Sequence, residues 1–559
     1  MTLIICLLVS ASATAGDDFY NSQLNRGIRN SDTYAYFLLK QAHLNKAEAG
    51  RLLDDAVRYS PDLPAVYFEH AKKSFSLSGP GLLKSVDYII SGIDAYSRNF
   101  WWSFSLTGAL YFSLILSFIL SFIVIVSVRL SRDLPMITHD IKETSSRAVF
   151  LFALLAISVI SPLFFIAGSL ILMGIYMRKM DRIVVYVFLL FLLFLPVFFS
   201  TGSLFMNTLS SGKLKAVVQE NESQGNIYAL TNLKDNKDFN ATFSYALALK
   251  HEGNYQDAIG IYKKFLANKS NPRVLVNLGN CYVGLYNFQE EKKGSLDEAA
   301  RYYTLAINAK PAASAYYNLS EVSREMLDFE RGDEYFKAAL HIDRAAVENY
   351  RTISNRNANR FVVDETIPRT ELWDYAKSNS SRVANFGMTV FPAPLLSFVA
   401  LLLISVFYIL PGRLRYHAYR CRKCDTILCN GCERELVIGQ ICSQCYGSMI
   451  KLAELDVKER VSRILSIYDQ QKKRRDIMNI LSFVLPGAAH IYSGKILYGF
   501  LILWPFLFFI SVPFVDSFFF PGSSLISHGF FNVAALVLAL LVYLVSNLIT
   551  RQGISKGWL

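Results

Sequence analysis

Long apolar runs are the feature that most restricts how this 559-residue chain can fold. Residues 102–128 form one almost uninterrupted apolar run, and about 20 apolar residues are enough for one helical membrane span. Similar runs predict spans at 183–200, 391–411 and 527–549, the last within a C-terminal transmembrane hairpin region at 477–549. We therefore expect a multi-span helical membrane protein of the all-α class, with the lipid bilayer as one partner.

The apolar run at 148–177 has two interpretations. It is longer than one span requires, and Ser161-Pro162 lies in its middle. A single crossing would leave the basic residues at 178–182 outside the cytoplasm, against the usual cytoplasmic position of basic loops. A hairpin folded at Ser161-Pro162 returns them to the cytoplasm. We favour the hairpin within a membrane region at 102–200, with the single crossing as the alternative.

The N-terminus predicts export of the segment that follows it. A short apolar stretch ends in an A-x-A pattern at Ala15, which is typical of a signal peptide at 1–15, with an uncleaved anchor as the alternative. Either arrangement translocates residues 17–98. The basic flanks of the later spans then predict that residues 201–390 lie outside the cytoplasm and residues 413–475 inside it.

The positive charge of the chain is explained by membrane flanks. The formal net charge is +12, and 52% of the residues are hydrophobic. Much of the basic excess adjoins apolar runs, at 413–423 and in a basic amphipathic helix predicted at 451–475. Basic residues at these positions face anionic lipid on the cytoplasmic side. We therefore expect no nucleic-acid partner.

Helical repeats are predicted at 239–343. Apolar residues are spaced for two helices on either side of a break at Gly253-Asn254. The helix pair recurs twice, each time with a small residue followed four positions later by an aromatic. These pairs are Ala258 and Tyr262, Ala299 and Tyr303, and Gly332 and Phe336.

This spacing resembles the tetratricopeptide repeat (TPR), which has a period of about 34 residues. The resemblance implies a TPR domain at 224–345, followed by a juxtamembrane collar at 346–390 to which we assign no chemistry. A weaker match predicts a helical TPR-like domain at 17–98, with a generic amphipathic helix pair as the alternative.

The resemblance also implies a concave groove that binds a protein or peptide segment. Lys250, Asn277 and Asn280 are placed to hold a carboxylate there, although two Asn and one Lys form a weak motif. By position in the repeat, the residues expected to line the groove are Phe243, Leu247, Lys250, Val276, Asn280, Val283, Tyr317, Glu321 and Arg324.

Six cysteines in three C-x2-C pairs predict a metal site in a zinc-ribbon-like module at 413–450. The preferred ligands are Cys421, Cys424, Cys442 and Cys445. Cys429 and Cys432 are further candidates, and His417 is the nearby residue that a second ion would require. One structural zinc ion is favoured over two. A redox pair and an iron–sulfur cluster are the alternatives.

Motifs for catalysis are not found in the sequence. The chain contains no phosphate-binding loop, no H-E-x-x-H, no G-x-S-x-G and no dinucleotide fingerprint. We expect a non-enzymatic scaffold or assembly protein, and the alternative is a sensing protein that relays binding at the repeats to the zinc module. The string LPGAAHIYSGKILYG resembles a motif of small bacterial membrane hairpins. Together with the leader and the overall arrangement, that resemblance implies a bacterial inner-membrane protein. The basic flanks then predict that the repeats are periplasmic and the cysteines cytoplasmic.

Overall fold

The chain divides into two compact units in the computed structural model. One comprises Met1–Phe104 and Met206–Ser381, and the other comprises Ser105–Phe205 and Arg382–Leu559. The helices of 17–98 and those of 224–345 therefore lie in the same unit, although the predicted membrane region at 102–200 separates them in the sequence. The structure describes residues 20–24, 27–140, 152, 156, 161–222, 224, 227–268, 270–288, 294–354, 362–379, 393–413, 418–429, 441–449, 457–519 and 528–557.

Helices at the start of the first unit pack in order along the chain. Each contacts the next, and the first also contacts the third. Gly92 permits one of these contacts, because a Cβ there would meet the ring of Phe68 at 3.0 Å. Helices are present in the described part of the segment predicted to be helical at 17–98. The four helices are α1 (Asp32–Leu44), α2 (Ala49–Tyr59), α3 (Pro64–Ser74) and α4 (Gly79–Arg98).

The next helices carry the first apolar runs: α5 (Phe100–Asp140), α6 (Pro162–Gly174), α7 (Arg182–Leu193) and α8 (Leu195–Ser210). The predicted span at 102–128 lies within α5, which is 41 residues long. The run at 183–200 falls on α7 and α8, which bend by 57° at the break between them. A break also exists at Ser161, whose side chain caps α6 by accepting from the backbone N–H of Leu163 at 3.2 Å. Most of the first limb of the predicted hairpin, like the predicted signal peptide, lies outside the described residues.

Stacked helix pairs make up the rest of the first unit. Each helix from α11 to α17 packs on the next; α11 also contacts α13, and α13 contacts α15. The break at Gly253 is a turn with φ of +83°, and another helix begins at Arg344, directly after the repeats predicted at 239–343. The helices are α9 (Gly212–Asn221), α10 (Ile227–Leu233), α11 (Phe239–His251), α12 (Tyr255–Asn268), α13 (Pro272–Phe288), α14 (Ser295–Ala309), α15 (Ala313–Glu325), α16 (Phe329–Ile342), α17 (Arg344–Ser354) and α18 (Arg369–Asn379). We call α9 to α17 the helical array.

Close packing within the array depends on small residues. Ala258 and Ala299 are fully buried, as are the rings of Tyr262 and Tyr303. One close approach is at Gly279 of α13, where a Cβ would lie 2.5 Å from the ring of Tyr303 in α14. The small and aromatic positions of the repeat pattern therefore fill the space between neighbouring helices, as the sequence predicts.

Replacing Gly279 by alanine will destabilise the array. Overpacking of this kind costs about 1–3 kcal/mol, which exceeds the gain of about 1 kcal/mol from removing a helical glycine. Gly260, in α12, is the matched control because no atom lies within 4 Å of its Cβ position, so Gly260→Ala should leave stability unchanged or raise it. Thermal unfolding of the detergent-solubilised protein tests both, and equal midpoints for the two variants would contradict the packing argument.

The second unit adds the remaining apolar helices and one small hairpin. These elements are α19 (Ala393–Arg413), β1 (Tyr419–Arg420), β2 (Ile427–Leu428), α20 (Ser443–Met449), α21 (Val457–Val484), α22 (Ala488–Ser493), α23 (Ile496–Phe519) and α24 (Gly529–Ser555). The helix predicted at 451–475 extends to Val484, and α23 packs against α24 as a helical hairpin.

Three helices are long and apolar enough to cross a membrane in the part of the chain that the structure describes. They lie at Phe100–His139, Ile496–Ser517 and Gly529–Ser555, and the bent pair α7–α8 would make a fourth. The apolar part of α19, Pro394–Ile409, is shorter than these. The chain is therefore predominantly helical with several candidate spans, which confirms the expected class at that level.

Candidate functional site

The chain places one of its own segments against the helical array. Residues 362–368, which we call the groove segment, run without regular secondary structure between α17 and α18. The side-chain amide of Asn318, on α15, donates to the carbonyl of Val363 at 2.8 Å and accepts from its N–H at 2.8 Å. Asn277, on α13, makes the same two bonds with Glu365, both at 2.8 Å. Each asparagine therefore binds the donor and the acceptor of one backbone unit.

The same register continues to the end of the groove segment. Asn221, the last residue of α9, accepts from the N–H of Ile367 at 2.7 Å. Every second residue, from Val363 through Glu365 to Ile367, is thus held by an asparagine on a different helix. Alternation of this kind is the geometry of an extended strand, whose successive residues face opposite sides. The array therefore provides the hydrogen bonds that a neighbouring strand would otherwise provide.

A buried ionic cluster binds the residue between the first two of these positions. Lys250 Nζ lies 2.7 Å from both carboxylate oxygens of Asp364, and each of these two side chains is 4% exposed. Asn280 Nδ2 donates to the same carboxylate at 2.7 Å, and His251 Nε2 lies 3.2 Å from it. The other ring nitrogen of His251 is 3.0 Å from Glu220. Two cations and two carboxylates balance when His251 is protonated.

The charges in this cluster shift the pKa values of its members. Burial raises the pKa of Asp364, but Lys250 and His251 outweigh it and hold that pKa well below its usual range. Burial lowers the pKa of His251, but its contacts with Asp364 and Glu220 outweigh this and raise the pKa above 6.5. The stabilisation from His251 is therefore complete below pH 6.5 and is lost as pH rises through the raised value.

Two of the predicted groove residues bind the groove segment through hydrogen bonds, and Val363 packs against the buried cluster that contains a third, Tyr317. Lys250 and Asn280 bind a carboxylate as expected, whereas Asn277 binds backbone atoms instead. The array buries most of the remaining positions, and Glu321 pairs with Arg324 at 2.8 Å. The buried members are Phe243, Leu247, Val276, Val283 and Tyr317.

Sequence reasoning missed Asn221, His251, Asn318 and the whole groove segment as binding elements. Asn221 and Asn318 each lie in the first helix of a pair, as Asn277 does. That recurrence of asparagine was the available signal.

Two cavities flank the groove segment. One, of about 700 Å³, is lined by Glu365 together with apolar side chains that include Phe239, Phe265 and Val276. The other, of about 320 Å³, is lined by Thr366 and by polar residues of the array and the N-terminal helices. The groove segment therefore leaves open space on both of its sides.

Four cysteines come together in the second unit. The Sγ atoms of Cys421, Cys424, Cys442 and Cys445 all lie within 4.8 Å of one another. The first pair lies on the β1–β2 hairpin, in which Tyr419 pairs with Leu428. The second pair lies at the start of α20. Four cysteine sulfurs at this spacing can hold a tetrahedral metal ion.

Backbone N–H groups already point at these sulfurs. The N–H of Cys442 donates to Cys421 Sγ at 3.3 Å, and the N–H of Cys445 donates to Cys442 Sγ at 3.4 Å. Burial raises the pKa of the Cys421 thiol, but the backbone donors outweigh it and lower the pKa to about 7. Burial raises the pKa of Cys442 to about 11. A bound cation would stabilise all four as thiolates.

The other candidate ligands do not join this group. Cys429 is buried but lies outside the cluster of four sulfurs. Cys432 and His417 lie outside the residues that the structure describes. The geometry therefore supports the preferred set of four ligands.

The cysteine hairpin is attached to helix α5 of the same unit. Asp425, in the hairpin turn, lies 3.1 Å from Arg420 and 3.4 Å from Arg132 of α5. Arg132 also donates to the carbonyl of Tyr492 at 2.5 Å and lies over its ring. These contacts fix the hairpin relative to the apolar helices of this unit.

Comparisons with known proteins add no family assignment. No family model matches the chain, and no curated protein shows significant similarity to it. The fold and the sites therefore define the class alone: a helical protein with candidate membrane spans, an array of stacked helix pairs that holds an extended segment, and a four-cysteine cluster.

Proposed function

We propose that this chain is an integral membrane scaffold whose helical array is a TPR-type domain that binds an extended segment of a partner protein. The observation that carries the proposal is the bonding of the groove segment. Its backbone is bound by asparagines from three helices, and a single side chain, Asp364, receives charged partners. Recognition through backbone atoms and one carboxylate suits a protein segment, so we favour binding over catalysis.

The cysteine cluster is proposed to be one structural zinc site. Four thiolates leave no open position for water, which is typical of structural rather than catalytic zinc. Its attachment to α5 through Arg132 supports a role in holding this part of the second unit together. The site is proposed to face the cytoplasm, where thiols remain reduced.

The membrane location is proposed to be the bacterial inner membrane, with the helical array in the periplasm. The three candidate spans support insertion in a membrane. The positions of the basic flanks support the orientation. The assignment to bacteria depends on resemblance: that of the short motif at 485–499 to bacterial membrane hairpins, of the leader, and of the overall arrangement.

Site-specific photo-crosslinking in cells tests the scaffold function. A photoreactive residue at Lys310, on the edge of the larger cavity, should give one discrete crosslinked protein. The same residue at Glu330, in the exposed first turn of α16, is the matched control and should give none. Equal products from both positions would show that the groove is not the binding surface.

The same assay separates a scaffold from a sensing protein. Removal of residues 413–475 should leave both the crosslink and the rescue of a deletion strain when the protein is a scaffold. A sensing role predicts that the crosslink remains while rescue is lost. That second result would replace our proposal with the sensing alternative.

A further inference from the structure

We propose that the groove segment is a built-in competitor of the partner, and that the partner presents an extended segment with an aspartate at the position of Asp364. This inference rests on the proposed function of the array. It adds which side chain the partner presents to the array. It also adds that the groove segment occupies the binding surface when no partner is bound. Four features of the first unit carry it.

The first feature is that the array binds backbone atoms. Asn318 and Asn277 each make two hydrogen bonds to one residue of the groove segment, and Asn221 makes one more. These bonds do not depend on the side chains at positions 363, 365 and 367. Any extended segment presents the same donors and acceptors at the same spacing, so a partner can replace the groove segment bond for bond.

The second feature is that the array requires one charged side chain, a carboxylate, in the segment that it binds. Lys250, Asn280 and His251 converge on one carboxylate in a site that is almost fully buried. A buried charge that loses its partner is strongly destabilising. The array is therefore selective for a segment with an aspartate at this position, and a neutral residue there would leave Lys250 unpaired.

The third feature is the space beside the groove segment. Glu365 borders the cavity of about 700 Å³, whose other lining includes the rings of Phe239 and Phe265. The groove segment leaves these apolar surfaces unfilled. An apolar side chain at the position of Glu365 would reach them and gain about 25 cal/mol for each Å² that it buries. A partner can thus bind more tightly than the internal segment does.

The fourth feature is the covalent tether. A segment linked to its own groove competes at an effective concentration of roughly millimolar. A free segment with identical contacts would therefore be excluded at ordinary concentrations. Only a partner with additional contacts, such as those in the apolar cavity, opens the array. Because of the covalent tether, the groove segment excludes ligands that bind the array weakly.

The experiment uses the full-length protein in detergent micelles and a fluorescein-labelled peptide with the sequence of residues 360–369. Asp364→Asn should free the groove, because the amide cannot neutralise Lys250. Fluorescence anisotropy should show at least tenfold tighter peptide binding by this variant than by the wild type. A peptide with asparagine at the position of Asp364 should bind the variant at least tenfold more weakly. Glu348→Gln, a change in an exposed ion pair, should behave as the wild type.

The outcomes separate this inference from the proposed function. Equal, tight binding of the peptide to wild type and Asp364→Asn would overturn the competition, while leaving the array as a segment-binding scaffold. No binding to a folded Asp364→Asn variant would overturn both, because the groove segment would then be a fixed part of the fold. Addition of the peptide should also raise the unfolding temperature of the variant if it occupies the vacated groove.

A second measurement needs no variant of the protein. The amides of Val363, Glu365 and Ile367 are bonded to asparagines, so they should exchange slowly in wild type. A saturating peptide with leucine at the position of Glu365 should displace the groove segment and speed their hydrogen exchange by at least tenfold. Unchanged exchange under saturating binding would overturn the inference even if Asp364→Asn fails to fold.

Discussion

Replacing Cys442 by serine will remove the bound metal from the purified protein, whereas replacing Cys429 by serine will leave one ion per chain. Cys442 is one of the four sulfurs that lie within 4.8 Å of one another, and its N–H also supports Cys421. Cys429 is a buried cysteine of the same module outside that group, which makes it a matched control. Metal content by mass spectrometry measures both.

The expected effect is large because metal binding and folding are coupled in small modules. Apparent binding free energies for structural zinc are about 10–16 kcal/mol in zinc-finger peptides. We therefore also expect Cys442→Ser to expose the module to limited proteolysis, while Cys429→Ser resists it as the wild type does. Two ions per chain in the wild type, or metal loss from Cys429→Ser, would contradict the single four-sulfur site and support the two-metal interpretation.

Local patterns explain which features could be predicted from the sequence. The turn at Gly253 and the contact of Gly279 with Tyr303 follow from residues within one or two helix pairs. The cysteine site is also local, because each C-x2-C turn sets its own two sulfurs at the required spacing. The run of apolar residues at 102–128 is enough to predict the long helix α5. In each case, the residues that determine the structure are near one another in the chain.

The groove segment could not be predicted because its partners are distant in sequence. Asp364 is 114 residues from Lys250 and lies in a stretch without helical or strand periodicity. Lys250 and Asn280 were expected to hold a carboxylate, but nothing in the sequence indicated that the chain itself supplies one. Tyr317 lies in a buried cluster against which Val363 of the groove segment packs, and its position in the repeat places it on this side of the array.

The same limit applies to the organisation of the first unit. The helices of 17–98 and 224–345 were predicted as separate domains, yet both belong to one compact unit. Their association depends on contacts such as the hydrogen bond that the side-chain amide of Gln224 donates to Asp32, 192 residues away in the chain. Periodicity predicts a helix and its neighbours in sequence, but it carries no information on contacts between segments that are far apart in the chain.

Replacing Lys250 by methionine will destabilise the first unit by about 3–5 kcal/mol near neutral pH, because removing one partner of a buried ion pair leaves the other charge unpaired. Methionine retains most of the volume of the lysine side chain, so the loss of stability measures the effect of removing the charge. Arg344→Met is the matched control. Arg344 is 81% exposed in its pair with Glu348, and exposed pairs contribute about 0–1 kcal/mol.

The pH dependence identifies the cause of this loss. In the wild type the pKa of Asp364 lies well below its usual range, so the stabilisation from its carboxylate is present above about pH 4 and fades only at lower pH. Without Lys250 the buried carboxylate is destabilising, and its protonation relieves the variant. The difference in unfolding free energy between wild type and Lys250→Met should therefore shrink as pH falls from 7 towards 4. If that difference in unfolding free energy did not change with pH, the loss of stability would be due to packing. Asp364 would then not be the charge that holds the groove segment in place.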